Sequence, residues 1–196
     1  MNHRTVFIGD SVTDSHRLEI PPYGDGYVQD IVASGRLTGD VINVGTSGHR
    51  LVDLVERWER DVIDAHPTRV SIAIGINDTW RRYDDDDPTT IEAFEANYRS
   101  VLARTLDATG AELVLCEPFL LPVEDAMHGW REDLDPKVDA VRRLAAEFGA
   151  RFVAFDANFA TLAGTMPMTE LAGDGIHPTA LGHRAMADLW LDTVLA

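Results

Sequence analysis

An α/β fold, a three-layer α/β/α sandwich around five parallel strands, follows from two regularities in the sequence. Five short runs rich in β-branched and aliphatic residues, Thr5–Ile8, Val41–Val44, Arg69–Ile74, Glu112–Cys116 and Arg151–Phe155, recur along the chain. Between them, apolar residues return every three or four positions, the stripe of an amphipathic helix. Strands separated by helices are joined by right-handed crossovers, which gives a parallel sheet covered on both faces. No internal repeat, low-complexity tract or linker interrupts the 196 residues, so one domain spanning 1–196 is expected.

The first strand stops abruptly. Val6-Phe7-Ile8 runs into Gly9-Asp10-Ser11-Val12-Thr13-Asp14, and ligands of parallel sheets sit beyond the carboxyl ends of the strands. Ser11 is thereby a candidate nucleophile, although Gly-Asp-Ser also suits an ordinary turn. The second strand empties into Asn43-Val44-Gly45-Thr46-Ser47-Gly48-His49. A glycine there can aim a backbone N–H at developing charge; a helix cap by Thr46 or Ser47 is the plainer use. Leu51, Leu54, Val55, Trp58 and Val62 trace the helix that follows.

The third strand ends in Gly75-Ile76-Asn77-Asp78-Thr79-Trp80. The Asn77 amide is a neutral donor suited to an oxyanion, or alternatively a helix cap. Ile91, Phe94, Tyr98, Val101 and Leu102 mark a helix that Gly110 should end. Val138, Val141, Leu144, Ala145 and Phe148 mark another, ended by Gly149. After the fifth strand, Gly173-Asp174-Gly175-Ile176-His177-Pro178 sets an acid three residues before a histidine. A serine hydroxyl attacks only when a base takes its proton, and histidine does so near neutral pH. The imidazole must itself be held in one tautomer by an acceptor, the part Asp174 can fill. Leu181-Gly182-His183 opens the last helix.

Two segments exceed minimal connections. Asp84–Asp87, ahead of Pro88, reads either as a divalent-cation site or as a solvated loop favouring the next helix N-terminus. Pro118–Asp133 carries Phe119, Leu120, Leu121, Met127 and Trp130, which either wall a pocket or pack onto the sheet.

Totals narrow the partners. With 33 acidic against 17 basic residues the formal net charge is −16. Such an excess disfavours nucleic acid, anionic membrane surfaces and polyanionic substrates; a small neutral substrate fits best. The single cysteine, Cys116, excludes an intrachain disulfide and a multi-cysteine metal site, and its apolar setting reads as core. Met1-Asn2-His3-Arg4 passes straight into the first strand without a leader pattern, and no apolar run has membrane-spanning length. The chain therefore reads as cytoplasmic, although one whose leader had been removed would read the same.

The four blocks Gly9-Asp10-Ser11, Gly48 within Asn43–Gly48, Gly75-Ile76-Asn77-Asp78 and Asp174-Gly175-Ile176-His177-Pro178 resemble, in order, the signature of the SGNH (GDSL-like) hydrolase superfamily. That resemblance implies a flavodoxin-like sheet of order 2-1-3-4-5. It also implies Ser11 as nucleophile, His177 as general base and Asp174 as its partner. The oxyanion hole would comprise the N–H of Ser11, the N–H of Gly48 and the Asn77 amide. Of the two glycines in the second block, Gly48, in the Ser-Gly-x position, matches better than Gly45. The Gly-x-Ser-x-Gly elbow of α/β-hydrolases is absent.

Within the superfamily, the chain is similar to bacterial intracellular acetylxylan esterases in Ile74–Asp84, Tyr23-Gly24-Asp25-Gly26-Tyr27-Val28, Trp58-Glu59-Arg60-Asp61-Val62 and Glu117-Pro118-Phe119. This implies deacetylation of xylose units or short xylo-oligosaccharides, often by a homo-oligomer. Asp10, Trp80, Tyr83 and Trp130 are then the candidate substrate-binding residues. For each aromatic, a core or subunit-interface role is the alternative.

The expectation is a serine esterase needing no metal or cofactor. A lysophospholipase or thioesterase of the same superfamily stays open, with Pro118–Trp130 as its acyl channel. A non-catalytic flavodoxin-like binding module is the alternative of another class. A metal-dependent aspartyl phosphatase needs an acid where Val12 stands.

Overall fold

The computed structural model describes residues 3–196; Met1 and Asn2, on which the reading of the amino terminus partly rests, lie outside the described residues. Its centre is a sheet of five strands: β1 (Arg4–Gly9), β2 (Asp40–Asn43), β3 (Arg69–Ala73), β4 (Glu112–Cys116) and β5 (Arg151–Val153). Every pairing is parallel and the order is β2-β1-β3-β4-β5, as the family resemblance implies. Three strands end earlier than the sequence predicts, β3 at Ala73 and not at Ile74. Val44 leaves β2, though its N–H still reaches the Phe7 carbonyl, and Phe155 already opens a helix.

Successive side chains of a strand face opposite ways, so each strand feeds two cores. Val6, Ile8, Val70, Ile72, Leu113 and Leu115 pack beneath α3 (Leu51–Trp58), α5 (Ile91–Thr109) and α6 (Arg131–Phe148). Phe7, Ala73, Val114, Cys116 and Val153 meet α2 (Tyr27–Ala33), α7 (Phe155–Ala163) and α9 (Ala180–Val194) on the other face. Two one-turn helices, α1 (Ser11–Asp14) and α8 (Met168–Leu171), and the helix α4 (Ile76–Asp84) fill the carboxyl edge. Gly110 and Gly149 end α5 and α6 in left-handed conformation, at φ 64° and 62°. The helix after β2 runs on past Trp58 as a π-helical turn, Glu59–Ile63.

The long segment before α6 is not a free loop. Asp125–Trp130 forms a 3₁₀ turn, and Phe119, Leu120, Leu121 and Met127 are all buried. Packing is the use of Phe119, Leu120 and Leu121, while Met127 packs and also borders a depression beside Trp130. The acidic run likewise does not converge. Asp84 and Asp85 pair with Arg81, while Asp87 pairs with Arg50. Among the described residues no helix is long and apolar enough to cross a membrane.

Some polar groups inside these cores are matched by neighbouring side chains, while the buried Tyr98 hydroxyl has no partner among the described residues. Trp58 Nε1 donates to Thr105 Oγ1 at 3.0 Å, and that hydroxyl donates to the Val101 carbonyl at 2.7 Å. Thr105→Val keeps the side-chain shape but strands the buried indole N–H, and is expected to cost about 1–3 kcal/mol. Urea denaturation with an unchanged m-value checks this.

Candidate active site

Three strand ends and the loop before α9 converge on one cleft of about 390 Å³, lined by Ser11, Gly48, Asn77, Trp80 and His177 among others. Ser11 is the first residue of α1. Asp10 precedes it as N-cap, its Oδ1 accepting the Val12 N–H at 3.0 Å. The Ser11 N–H sits at a helix N-terminus, where it has no intrahelical partner.

Ser11 Oγ lies 2.9 Å from His177 Nε2, and His177 Nδ1 lies 2.6 Å from Asp174 Oδ2. The two ends of this line are 166 residues apart in sequence. Asp174 Oδ1 accepts the backbone N–H groups of Ile176 and His177, which fixes the carboxylate to its own loop. Burial pushes the Asp174 carboxyl up, but hydrogen bonds from the His177 ring and backbone outweigh it and leave the acid below its usual range. An ionised Asp174 only accepts, so Nδ1 carries the ring proton and Nε2 is left to accept from the Ser11 hydroxyl.

Gly48 sits at φ 81°, a left-handed conformation with open space where a side chain would start, and its N–H has no acceptor among the described residues. The loop carrying it is clamped from both sides. Asp14 Oδ2 accepts the Ser47 N–H and hydroxyl at 3.2 and 2.7 Å, and Asn43 Nδ2 donates to the Thr13 carbonyl at 2.7 Å. From β3, Asn77 Nδ2 donates to the His49 carbonyl at 3.0 Å and Asp78 Oδ2 accepts the Leu51 N–H at 3.0 Å. Ser47 is thus tied to α1 instead of capping α3, and Asn77 has one amide proton engaged and the other available. Asp14, Asn43 and Asp78 support the site without having been singled out from the sequence. Asp78 is pushed to about 6 by burial, against the pull of the Leu51 N–H.

The four candidate substrate residues part company. Trp80 lines the cleft, its ring centred 6.2 Å from that of His177. Trp130 lies beyond Trp80, the two flanking a neighbouring depression of about 240 Å³ that Asp174 also borders. Tyr83 does not line that depression or the cleft. It stacks on Trp130 at 5.1 Å and donates to the Gly129 carbonyl, so it braces Trp130. Asp10 also departs from the expectation. It is 2% exposed and turned inward, because capping α1 points its carboxylate away from the cleft.

This chain belongs to the GDSL-like lipase/acylhydrolase family, whose profile matches residues 7–185, and it is a carboxylic ester hydrolase. It is 34% identical over 205 residues to an acetylxylan esterase of Geobacillus stearothermophilus, covering 96% of this chain and 92% of that one. The crystal structure of Axe2, an acetylxylan esterase from that organism, superposes with a TM-score of 0.87 at 32% identity, over 97% of this chain and 93% of its own. A GDSL-like lipase candidate from Parabacteroides merdae superposes at 0.92 with 30% identity, over 98% and 95%. Catalytic variants of Axe2 carry alanine in place of a serine, an aspartate or a histidine.

Burial raises Asp10 to about 7, against the opposing Val12 N–H and the nearby His177. A carboxyl whose folded value lies above its unfolded one near 3.8 stabilises fully below that value and loses its contribution as pH climbs through about 7. Asp10→Asn keeps the capping oxygen and removes the titration. The wild type should therefore lose stability relative to Asp10→Asn between these values, with a slope approaching ~1.4 kcal/mol per pH unit. Denaturant midpoints of both proteins across pH 4.5 to 7 check it.

Proposed function

We propose that this enzyme removes short acyl groups, acetyl above all, from neutral carbohydrate such as acetylated xylose or xylo-oligosaccharides, by way of an acyl-enzyme. One line of contacts carries the reading: Asp174 Oδ2 to His177 Nδ1, and His177 Nε2 to Ser11 Oγ. In this mechanism Ser11 Oγ attacks the ester carbonyl while Nε2 takes its proton, and Asp174 steadies the imidazolium. The tetrahedral oxyanion is met by the N–H groups of Ser11 and Gly48 and the free amide proton of Asn77. His177 then gives its proton to the departing alcohol oxygen as the C–O bond breaks. Water, activated by the same imidazole, attacks the acyl-serine, releasing acid and restoring the hydroxyl.

Two features favour a short acyl group on a sugar. The apolar residues of the segment after β4 are packed away, Phe119, Leu120 and Leu121 each at 4% exposure or less, so they do not form a channel for a long chain. Trp80 and Trp130 offer ring faces on the cleft side where a sugar's apolar face can rest. The catalysed chemistry calls for no metal or cofactor. The same reading has residues 1–196 acting as one SGNH hydrolase domain in the cytoplasm, with a small neutral substrate and no nucleic-acid or membrane partner, and it allows a homo-oligomer.

Ser11→Ala should fold normally and lower kcat on p-nitrophenyl acetate by roughly three orders of magnitude or more; near-wild-type turnover would overturn the mechanism. Labelling by a fluorophosphonate should vanish in the same variant. Across p-nitrophenyl esters from acetate to palmitate, kcat/KM should fall steeply with chain length. A maximum at long chains would replace the acetyl reading with the lysophospholipase one.

A further inference from the structure

The cleft has a second wall that the proposed reaction leaves without a task. Ser15 follows Ser11 by one turn, its N–H bonded to the Ser11 carbonyl at 2.9 Å, and His16 comes next; both line the cleft. Both also hold positive φ, 38° and 60°, two successive non-glycine residues in a region that L residues rarely occupy. Strain of this kind persists only where neighbours over-determine it.

Here the neighbours are on the loop before α2. Asp25 N–H donates to the Ser15 carbonyl at 2.9 Å, and Asp25 Oδ1 gathers the Ser15 hydroxyl at 2.9 Å and His16 Nδ1 at 3.0 Å. Gly24 and Gly26 flank the acid because a Cβ on Gly24 would lie 2.0 Å from the Ser15 carbonyl oxygen, and one on Gly26 would lie 2.6 Å from the Ser15 side chain.

The hydrogen bonds of this wall run one way. His183 Nδ1 accepts the Tyr27 N–H at 3.1 Å, and burial lowers its pKa to about 4, so it is a neutral ring with its proton on Nε2. That proton faces the Ser15 oxygen at 3.4 Å, Ser15 donates onward to Asp25, and His16 Nδ1 donates to Asp25 as well. Asp25 stays an anion, held below its usual range chiefly by His16 against the opposing effect of burial, and the carboxylate raises His16 in return. Of the four ring nitrogens of His16 and His183, three are thereby assigned and one is not. His16 Nε2 is the free nitrogen of a ring that is 70% exposed and tethered at the cleft by Asp25 alone.

We propose that His16, tethered by Asp25, is a substrate-positioning residue whose Nε2 hydrogen-bonds a hydroxyl of the alcohol part of the ester, in the cleft that Trp80 also lines. This inference rests on the esterase reading above and deepens it to the polyhydroxy character of the leaving alcohol. Charge matching selects a neutral group over a carboxylate. Among the residues lining the cleft, His16 is balanced by Asp25 and Arg81 by Asp84 and Asp85. The wall offers directed hydrogen bonds with little net charge, which suits hydroxyls. A ring pinned on one nitrogen also loses less freedom when the other binds substrate.

The test compares two acetyl esters, an acetylated methyl xyloside with hydroxyls beside the ester and p-nitrophenyl acetate without them. His16→Gly deletes the ring and suits the left-handed backbone, so the loop keeps its path. The ratio of kcat/KM for the xyloside to that for p-nitrophenyl acetate should drop about tenfold, mainly through KM on the sugar. Asp25→Ala, which removes the acceptor that tethers the ring but leaves the ring in place, should move the ratio the same way by less. A wild-type ratio in both variants would overturn the assignment of His16 while leaving Ser11 chemistry intact. Loss of Ser11 dependence in the preceding experiment would instead remove the esterase mechanism itself.

Discussion

The cleft depends on a buried guanidinium. Arg57, 7% exposed on α3, donates to the Gly9 carbonyl at 3.1 Å and to the Val44 carbonyl at 2.6 Å, with Asp61 balancing its charge at 2.8 Å. Those carbonyls lie where β1 and β2 run out, the points from which the Ser11 turn and the Gly48 loop depart. Strand pairing fixes Phe7 against Asn43 and Gly9 against Ala73. Beyond those pairs two backbone bonds continue the contact, Val44 N–H to the Phe7 carbonyl and Thr46 N–H to the Gly9 carbonyl, and Arg57 adds its constraint at the same point. A buried charge with hydrogen bonds and a counter-ion is tolerated; without them it is costly. The fold therefore uses a buried, balanced cation to hold two loops at one spacing.

From that anchor the network spreads by short polar ties instead of apolar packing. Asp14 holds Ser47, Asn77 holds the His49 carbonyl and Asp78 holds the Leu51 N–H. Each residue of the proposed oxyanion hole is thus one bond from a clamp belonging to another strand. Preorganisation of donors is what makes such a hole effective, because no reorientation is needed as charge develops. Rigidity here comes from several such ties acting together, which is cooperative, although Arg57 Nε, Asp78 Oδ1 and His49 Nδ1 are buried without a partner among the described residues.

Elements with a long apolar period were legible in the sequence, since burying one face of α3, α5 or α6 leaves a repeat. The strands were legible for a related reason. Val70, Ile72 and Ile74 on one side of β3, with Ser71 and Ala73 on the other, read as a continuous run buried on both faces. The short helices α1, α4 and α8 left no such trace, because a turn or two carries too few positions to repeat. The ties themselves were invisible. Arg57 to Gly9 spans 48 residues and Asp14 to Ser47 spans 33, and a hydrogen bond between distant loops imposes no pattern on either. Asp10 shows the limit of adjacency. Next to Ser11 in sequence, it faces the other way, since an N-cap must turn toward its own helix. Tyr83 shows the same for a helix face: three residues from Trp80, it finds Trp130 before it finds the cleft.

The net charge of −16 and the cleft are best understood together. None of the 33 acidic residues lines the cleft at Ser11, and two acids beyond β1 and β3, Asp10 and Asp78, are buried and pushed to about 7 and about 6, partly withdrawing their charge. The remaining negative surface surrounds an opening whose own cations are matched. A neutral ester feels that field only weakly and enters without penalty. Ester hydrolysis releases a carboxylic acid that ionises at neutral pH, and the same field acts on this anion as repulsion. With the uncharged substrate proposed above, the contrast with a charged product gives the acidic surface a direction. It leaves entry alone and opposes the product's return, provided no carboxylate sits inside the cleft to disturb the oxyanion on the way.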